Sequence, residues 1–253
     1  MIRAVPAFED NYIWIIGCDT EAADEVVVVD PGDSAPVLED LSQRGLKLAA
    51  ILITHHHRDH IGGIAELTQQ APRPEGQAKI PVYGPSNRAI AGITVPVRAG
   101  DVVEIGRLNC RLSVIEVPGH TLDHIAYFGF CASSQPVLFC GDTLFAAGCG
   151  RLFEGTAQQM WESLQKLAAL PPDTAVYCTH EYTQSNLKFA THCKPLNTDM
   201  RARRAHVEQL RSEHCMTLPS SIEMELLTNP FLLQCADAEE FSVMRKQKDN
   251  FRG

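Results

Sequence analysis

Leu48-Ala49-Ala50-Ile51-Leu52-Ile53-Thr54-His55-His56-His57-Arg58-Asp59-His60 is the stretch that decides how the rest of the chain is read. Its opening run of apolar residues reads as a buried strand. The histidines and the aspartate lie on the loop leaving that strand, and Gly62-Gly63 then opens a helix near Ile64. Layered α/β structures build their sites at such strand ends. Neutral imidazole and carboxylate are the usual nitrogen and oxygen ligands of zinc, iron and manganese. His55 and His57 are two residues apart and face the same way in extended chain. Asp59 and His60 follow where the chain turns, so one loop can feed two metals. Histidine tracts also occur in tags and low-complexity runs, but those do not sit between a buried strand and a helix.

Working outward, three later strand ends repeat the device. Cys110 to Val117 alternates as a strand and ends in Pro118-Gly119-His120-Thr121. Val137-Leu138-Phe139-Cys140 ends in Gly141-Asp142-Thr143, and Ala175-Val176-Tyr177-Cys178 in Thr179-His180-Glu181. Gly-Asp alone is an ordinary turn. Several strand ends that each deliver a ligand-type residue imply one shared site. His56, His124, His192, His206 and His214 lack this placement and are read as non-ligands. Ahead of the motif, residues 1 to 31 read as a pair of strands, Asn11 to Ile16 and Glu25 to Val29. The second ends at Asp30-Pro31-Gly32, so Asp30 is a candidate carboxylate behind a ligand histidine, fixing its tautomer. Helices are expected over Ala35–Arg44 and Gln158–Leu170. Beyond Glu181 polar segments with apolar residues at helical spacing follow, at Ser185–Cys193, Met200–Ser212 and Ala238–Asp249.

Composition narrows the function classes. With 253 residues, 45% of them hydrophobic, the chain can bury a sizeable core. A formal net charge of -9 argues against a general nucleic-acid or anionic-membrane binder. The nine cysteines are odd in number, scattered and without a Cys-x-x-Cys pair. They are expected as reduced thiols of a cytoplasmic protein. No signal-peptide core and no membrane-spanning stretch is read. Cys149 and Cys140 are expected as buried thiols rather than nucleophiles, because the histidines near them are claimed by metal.

Thr-His-x-His-x-Asp-His after a strand, then a Gly-His, an Asp and a final His at later strand ends, resembles the metallo-β-lactamase superfamily. Within it the chain is similar to the hydroxyacylglutathione hydrolases. The shared stretches are Pro6 to Tyr12, Val29 to Gly32, Pro118 to Thr121, Gly141 to Phe145, Gly148 to Thr156, Thr179 to Thr183, Asn229 to Leu232 and Arg245 to Phe251. The resemblance implies an α+β fold, a four-layer αβ/βα sandwich over residues 1–180 with a smaller, mostly helical C-terminal domain over 181–253. It also implies two divalent metal ions, zinc foremost, with iron or manganese as alternatives. His55, His57 and His120 would hold the first, Asp59, His60 and His180 the second, and Asp142 would bridge them. Asp59 and Asp142 then act in catalysis through the hydroxide that the metals share, which attacks a thioester carbonyl.

On the substrate side, the resemblance gives Arg151, Phe153, Tyr182, Arg245 and Lys248 to a glutathione thioester. Arg245 and Lys248 are three apart and share a helix face. Phe153 stands where some members have tyrosine, and Arg151 where some have lysine. Arg58 and Asp123 depart from the usual residues, the latter standing where glycine is common. The expected function is hydrolysis of S-2-hydroxyacylglutathione by a monomer, with neither nucleic acid nor membrane as partner. The rivals are a β-lactamase, a lactonase or a one-iron sulfur dioxygenase on the same fold, and a non-catalytic metal- or glutathione-binding protein.

Overall fold

The computed structural model describes residues 1–17, 24–131, 134–193 and 198–252. It divides into two compact units, Met1–Glu116 with Asp123–Gly141, and Val117–Leu122 with Asp142–Gly253.

In the first unit, β1 (Ile2–Ala7), β2 (Asn11–Gly17), β3 (Glu25–Val29), α1 (Ala35–Arg44), β4 (Lys47–Leu52), α2 (Arg58–Ile61), α3 (Ile64–Gln70), β5 (Val82–Pro85) and β6 (Val95–Val97) follow in order. The strands form one sheet in the order β1-β2-β3-β4-β5-β6. It is antiparallel from β1 to β3 and parallel from β3 to β6. Every residue of β3 is buried, as a parallel strand covered on both faces requires. One face carries α1 and α3, whose Val37, Leu41, Ile64 and Leu67 pack with Val26, Val28, Leu48 and Ile51. Helix α1 stops where Gly45 turns left-handed at φ 65° and its N–H returns to the Leu41 and Ser42 carbonyls. Next come β7 (Val102–Ile105), β8 (Cys110–Glu116), β9 (Ile125–Cys131) and β10 (Val137–Gly141), paired antiparallel in sequence.

The second unit holds β11 (Leu144–Phe145), β12 (Gly148–Cys149), α4 (Ala157–Ala168), β13 (Ala175–Cys178), α5 (Thr183–Cys193), α6 (Thr198–Ser212), β14 (Ser220–Ser221), α7 (Ile222–Thr228), α8 (Pro230–Leu233) and α9 (Ala238–Asn250). Helix α4 starts with a capping box between Thr156 and Gln159, and α9 starts on the Asp237 carboxylate. Phe189, Phe231 and Phe241 form an aromatic core joining α5, α8 and α9.

Two expectations are corrected here. The first 31 residues carry three strands, since Ile2–Ala7 pairs with Asn11–Ile16. Pro6 argues against a strand by pattern, but β1 is a sheet edge, where a missing N–H is tolerated. The cysteines are not all thiols: Cys110 and Cys131 form a disulfide. They sit directly opposite on β8 and β9, 4.0 Å apart at Cα, a cross-strand register that spacing along the sequence cannot reveal. Cys18 lies outside the described residues.

Candidate active site

The motif loop leaves β4 through Ile53 and Thr54. His57 then caps α2, which places His60 on the first helical turn. His55 and His60 are fully buried, with ring centroids 4.0 Å apart, and the His57 ring lies 4.7 Å from that of His55. Asp59 points more outward, and Asn11 Nδ2 donates to its Oδ2 at 3.2 Å. Behind the loop sits Asp30, buried, with its backbone left-handed at φ 51°. Its carboxylate accepts the Thr54 N–H at 2.8 Å, the Thr54 hydroxyl at 2.7 Å and His60 Nδ1–H at 3.0 Å. The Thr54 oxygen, having given its proton to Asp30, accepts from His55 Nδ1–H at 3.1 Å. One carboxylate therefore fixes two imidazoles, and each is left with its lone pair on Nε2, the form a metal ligand needs.

The glycines make this approach feasible. A Cβ on Gly62 would stand 2.4 Å from the Gly32 carbonyl oxygen, and one on Gly63 2.7 Å from that of Pro31. With bare backbone at both positions, the Asp30-Pro31-Gly32 turn lies directly against the metal loop. His124, read as a non-ligand, stacks on His55 at 4.5 Å and 16° and holds its ring plane.

In the second unit, His120 Nδ1–H donates to the Arg151 carbonyl at 2.9 Å. Its Nε2 and that of His180 each lie 3.3 Å from Asp142 Oδ2. The carboxylate thus gathers both imidazoles around one point. Gly150 is required here, because a Cβ would stand 2.0 Å from the Asp142 carbonyl oxygen. Tyr182 stacks on His180 at 4.8 Å and 4°, and Phe153 meets His120 edge-on at 5.2 Å. Both aromatic rings are exposed on their other side.

The basic residues differ in character. Arg151 is 65% exposed. Arg245 is only 4% exposed; it donates to the Cys149 carbonyl at 2.9 Å, pairs with Asp249 at 2.9 Å and lies over the Phe231 ring. Lys248 lies over Phe189 and donates to the Ser185 carbonyl at 3.2 Å. Burial, assisted by the Arg245 charge, lowers its pKa to about 8. Burial pushes the Cys149 thiol up to about 11 despite Arg245 beside it, so it is a protonated, inert thiol at neutral pH.

Within each unit the histidines and aspartates gather closely, His55 with His57 and His60 in the first, and His120 and His180 about Asp142 in the second. The model of the metallo-beta-lactamase superfamily matches residues 9–180, and that of the hydroxyacylglutathione hydrolase C-terminus matches 181–251. The chain belongs to the metallo-beta-lactamase superfamily and, within it, to the hydroxyacylglutathione hydrolases. The hydroxyacylglutathione hydrolase of Cupriavidus taiwanensis is 48% identical over 99% of both chains. That of Nitrosomonas eutropha is 50% identical over 90% of this chain and 83% of its own. Among solved structures, ETHE1 from Myxococcus xanthus is similar with a TM-score of 0.67 and 28% identity, over 100% of this chain and 92% of its own. This hydroxyacylglutathione hydrolase family member thus has the α+β metallo-beta-lactamase fold with a helical C-terminal region.

Of the two departures, Arg58 is exposed. Asp123 is 2% exposed, and its Oδ1 lies 2.7 Å from His56 Nδ1, so this carboxylate holds the histidine between the candidate ligands His55 and His57. Thr54 and Asn11 are site residues that pattern reading missed. Thr54 could have been found from its fixed place at the head of the motif, whereas nothing local marks Asn11.

Proposed function

We propose that this chain hydrolyses S-2-hydroxyacylglutathiones, S-D-lactoylglutathione among them, to glutathione and the 2-hydroxy acid, the second step of methylglyoxal removal. It is a thiolester hydrolase of its family. The observation that carries the substrate is the run of relatives, 46–50% identical across most or all of the chain, that are hydroxyacylglutathione hydrolases.

Seven residues fit a binuclear centre by their chemistry. His55, His60 and His120 each have Nδ1 held by a hydrogen-bond acceptor, so Nε2 is left for metal. In this reading His55, His57 and His120 hold one ion, Asp59, His60 and His180 the other, and Asp142 both. The donor set of nitrogen and oxygen suits zinc, iron or manganese, and zinc is our choice. When bound, the ions supply water activated at neutral pH and a Lewis acid for the carbonyl oxygen.

The remaining work belongs to the chain. Asp30 and the Arg151 carbonyl keep the imidazoles in one tautomer and plane. Tyr182 and Phe153 offer apolar faces to the peptide and thioester. Arg151 and Lys248 supply positive charge for the glutathione carboxylates, and Arg245 acts from behind by holding the Cys149 carbonyl. Water adds to the carbonyl carbon, the C–S bond breaks, and the sulfur leaves as thiolate. Residues 1–180 serve as the catalytic domain and 181–253 complete the substrate side. We place its action in the cytoplasm, on the acidic chain and on the six cysteines that are free thiols among the described residues, the Cys110–Cys131 pair apart. The test is S-D-lactoylglutathione hydrolysis before and after chelation, with metal counted in the same sample. We expect loss on chelation and recovery at about two metals per chain. Two metals without turnover would move the substrate to lactones, β-lactams or persulfides.

A further inference from the structure

We propose that Phe8 is an acyl-group contact that biases this enzyme toward thioesters with bulky apolar or aromatic acyl groups. The proposal rests on the thioesterase reading above and adds a specificity residue to it. Phe8 opens the three-residue turn between Ala7 of β1 and Asn11 of β2, which pair across the strands. Its backbone is left-handed at φ 53°, a conformation unfavourable for an ordinary L-residue and an outlier for a bulky side chain. The residue is 59% exposed to water. A bulky aromatic here thus has both a strained backbone and an apolar surface in solvent. Residues held at such cost cluster at functional sites.

One edge of the ring nonetheless rests against backbone. A Cβ on Gly32 would stand 2.8 Å from Phe8 Cε2 and 1.9 Å from the Asp59 carbonyl oxygen. The ring edge and the Asp59 main chain therefore flank the same bare face of Gly32. Three residues on, Asn11 donates to the Asp59 carboxylate at 3.2 Å. The turn is tied to the metal loop at both ends, by Phe8 through Gly32 and by Asn11 through Asp59. A substrate group brought to Asp59 meets an apolar ring whose free face is already presented. Burial of that face rewards acyl groups with apolar surface and gives little to a methyl group.

The test uses the full metal-loaded protein and two substrates, S-D-mandeloylglutathione and S-D-lactoylglutathione. Phe8→Asn removes the ring but keeps a residue that tolerates the left-handed turn, and Phe8→Leu keeps apolar bulk. We expect the mandeloyl-to-lactoyl ratio of kcat/KM to fall about tenfold in Phe8→Asn and to be largely restored in Phe8→Leu. A second readout needs no turnover: calorimetric titration with the stable thioethers S-phenacylglutathione and S-methylglutathione. Phe8→Asn should weaken the phenacyl ligand selectively. Equal losses for both substrates, or equal shifts for both thioethers, would overturn the role of Phe8 even while wild-type turnover upholds the thioesterase reading. Wild-type protein that binds both thioethers yet hydrolyses neither ester overturns that reading, and with it the assignment of Phe8 to an acyl group.

Discussion

Replacing Glu225 by Ala tests whether a buried ion pair fixes the turn that leads away from Asp142. Glu225 is fully buried on α7 and Arg203 on α6 is 8% exposed. Glu225 Oε1 accepts from Arg203 Nη2 at 2.6 Å and from the Ser220 hydroxyl at 2.5 Å. Its Oε2 accepts the Ala147 N–H at 2.8 Å and Asn229 Nδ2 at 2.9 Å. Asn229 also donates to the Gly148 carbonyl at 2.8 Å, so the β11–β12 turn, with Ala147 left-handed at φ 56°, is gripped by side chains from α7 and its end. Removal of the carboxylate strands a guanidinium inside the protein, a change worth about 3–5 kcal/mol. For a chain of this length that is a fall in Tm on the order of 10 °C. The assay is urea unfolding of wild type, Glu225→Ala, Arg203→Met and Arg203→Met/Glu225→Gln. In the double variant Gln still accepts from Ala147 and no charge remains, so most of the loss should return. A cost below about 1 kcal/mol for Glu225→Ala, or a double variant as unstable as the sum of the singles, would refute the reasoning.

Lys248, with its pKa lowered to about 8 by burial, is cationic below that pH and neutral above it, so KM for a glutathione thioester should rise as pH passes 8. Lys248→Arg, which stays charged, should remove that inflection, and a wild-type KM flat from pH 7 to 9 would count against the contact. Asp30→Asn tolerates the left-handed backbone but has one acceptor oxygen where Asp30 uses two, so it cannot take the Thr54 N–H on one side and the Thr54 hydroxyl and His60 on the other, and metal affinity should fall about 10–100-fold; chelator competition measures this, and unchanged affinity would remove the role. Cys149→Ala should leave turnover within about twofold, because the thiol, pushed up to about 11, is not a thiolate at neutral pH. A loss of a hundredfold or more in that variant would restore the nucleophile reading.

Elements with one clear period were legible. Helix α1 spans the expected Ala35–Arg44, and β3 spans the expected Glu25–Val29. The candidate ligands were legible because each stands at a strand end, where local pattern and chemistry coincide. What escaped depends on partners far away in sequence. β11 and β12 are two residues each and exist through the side chains that hold their turn. Helix α7 runs against polarity: Glu225 is fully buried, while Met224 and Leu227 are 37% and 40% exposed. Polarity alone puts that glutamate in solvent, and only Arg203, 22 residues earlier, reverses the placement.

Asp123 follows the same logic closer to the chemistry. A carboxylate so near the candidate ligands is, taken alone, either a surface group or a disturbance of the site. It is neither exposed nor isolated. It lies 2.7 Å from His56, a histidine read as a non-ligand because it lacks the placement of the candidate ligands. A buried carboxylate is retained where it has a partner, and a histidine flanked by two candidate ligands has little freedom to turn outward. Each residue accounts for the other across 67 positions. The polar residues of this site therefore fall into two kinds. Candidate ligands are set by local geometry and can be read along the chain. The residues that hold them, Asp30, Thr54 and Asn11, and Asp123, which holds the histidine between two of them, become intelligible only once the atom each one holds is known.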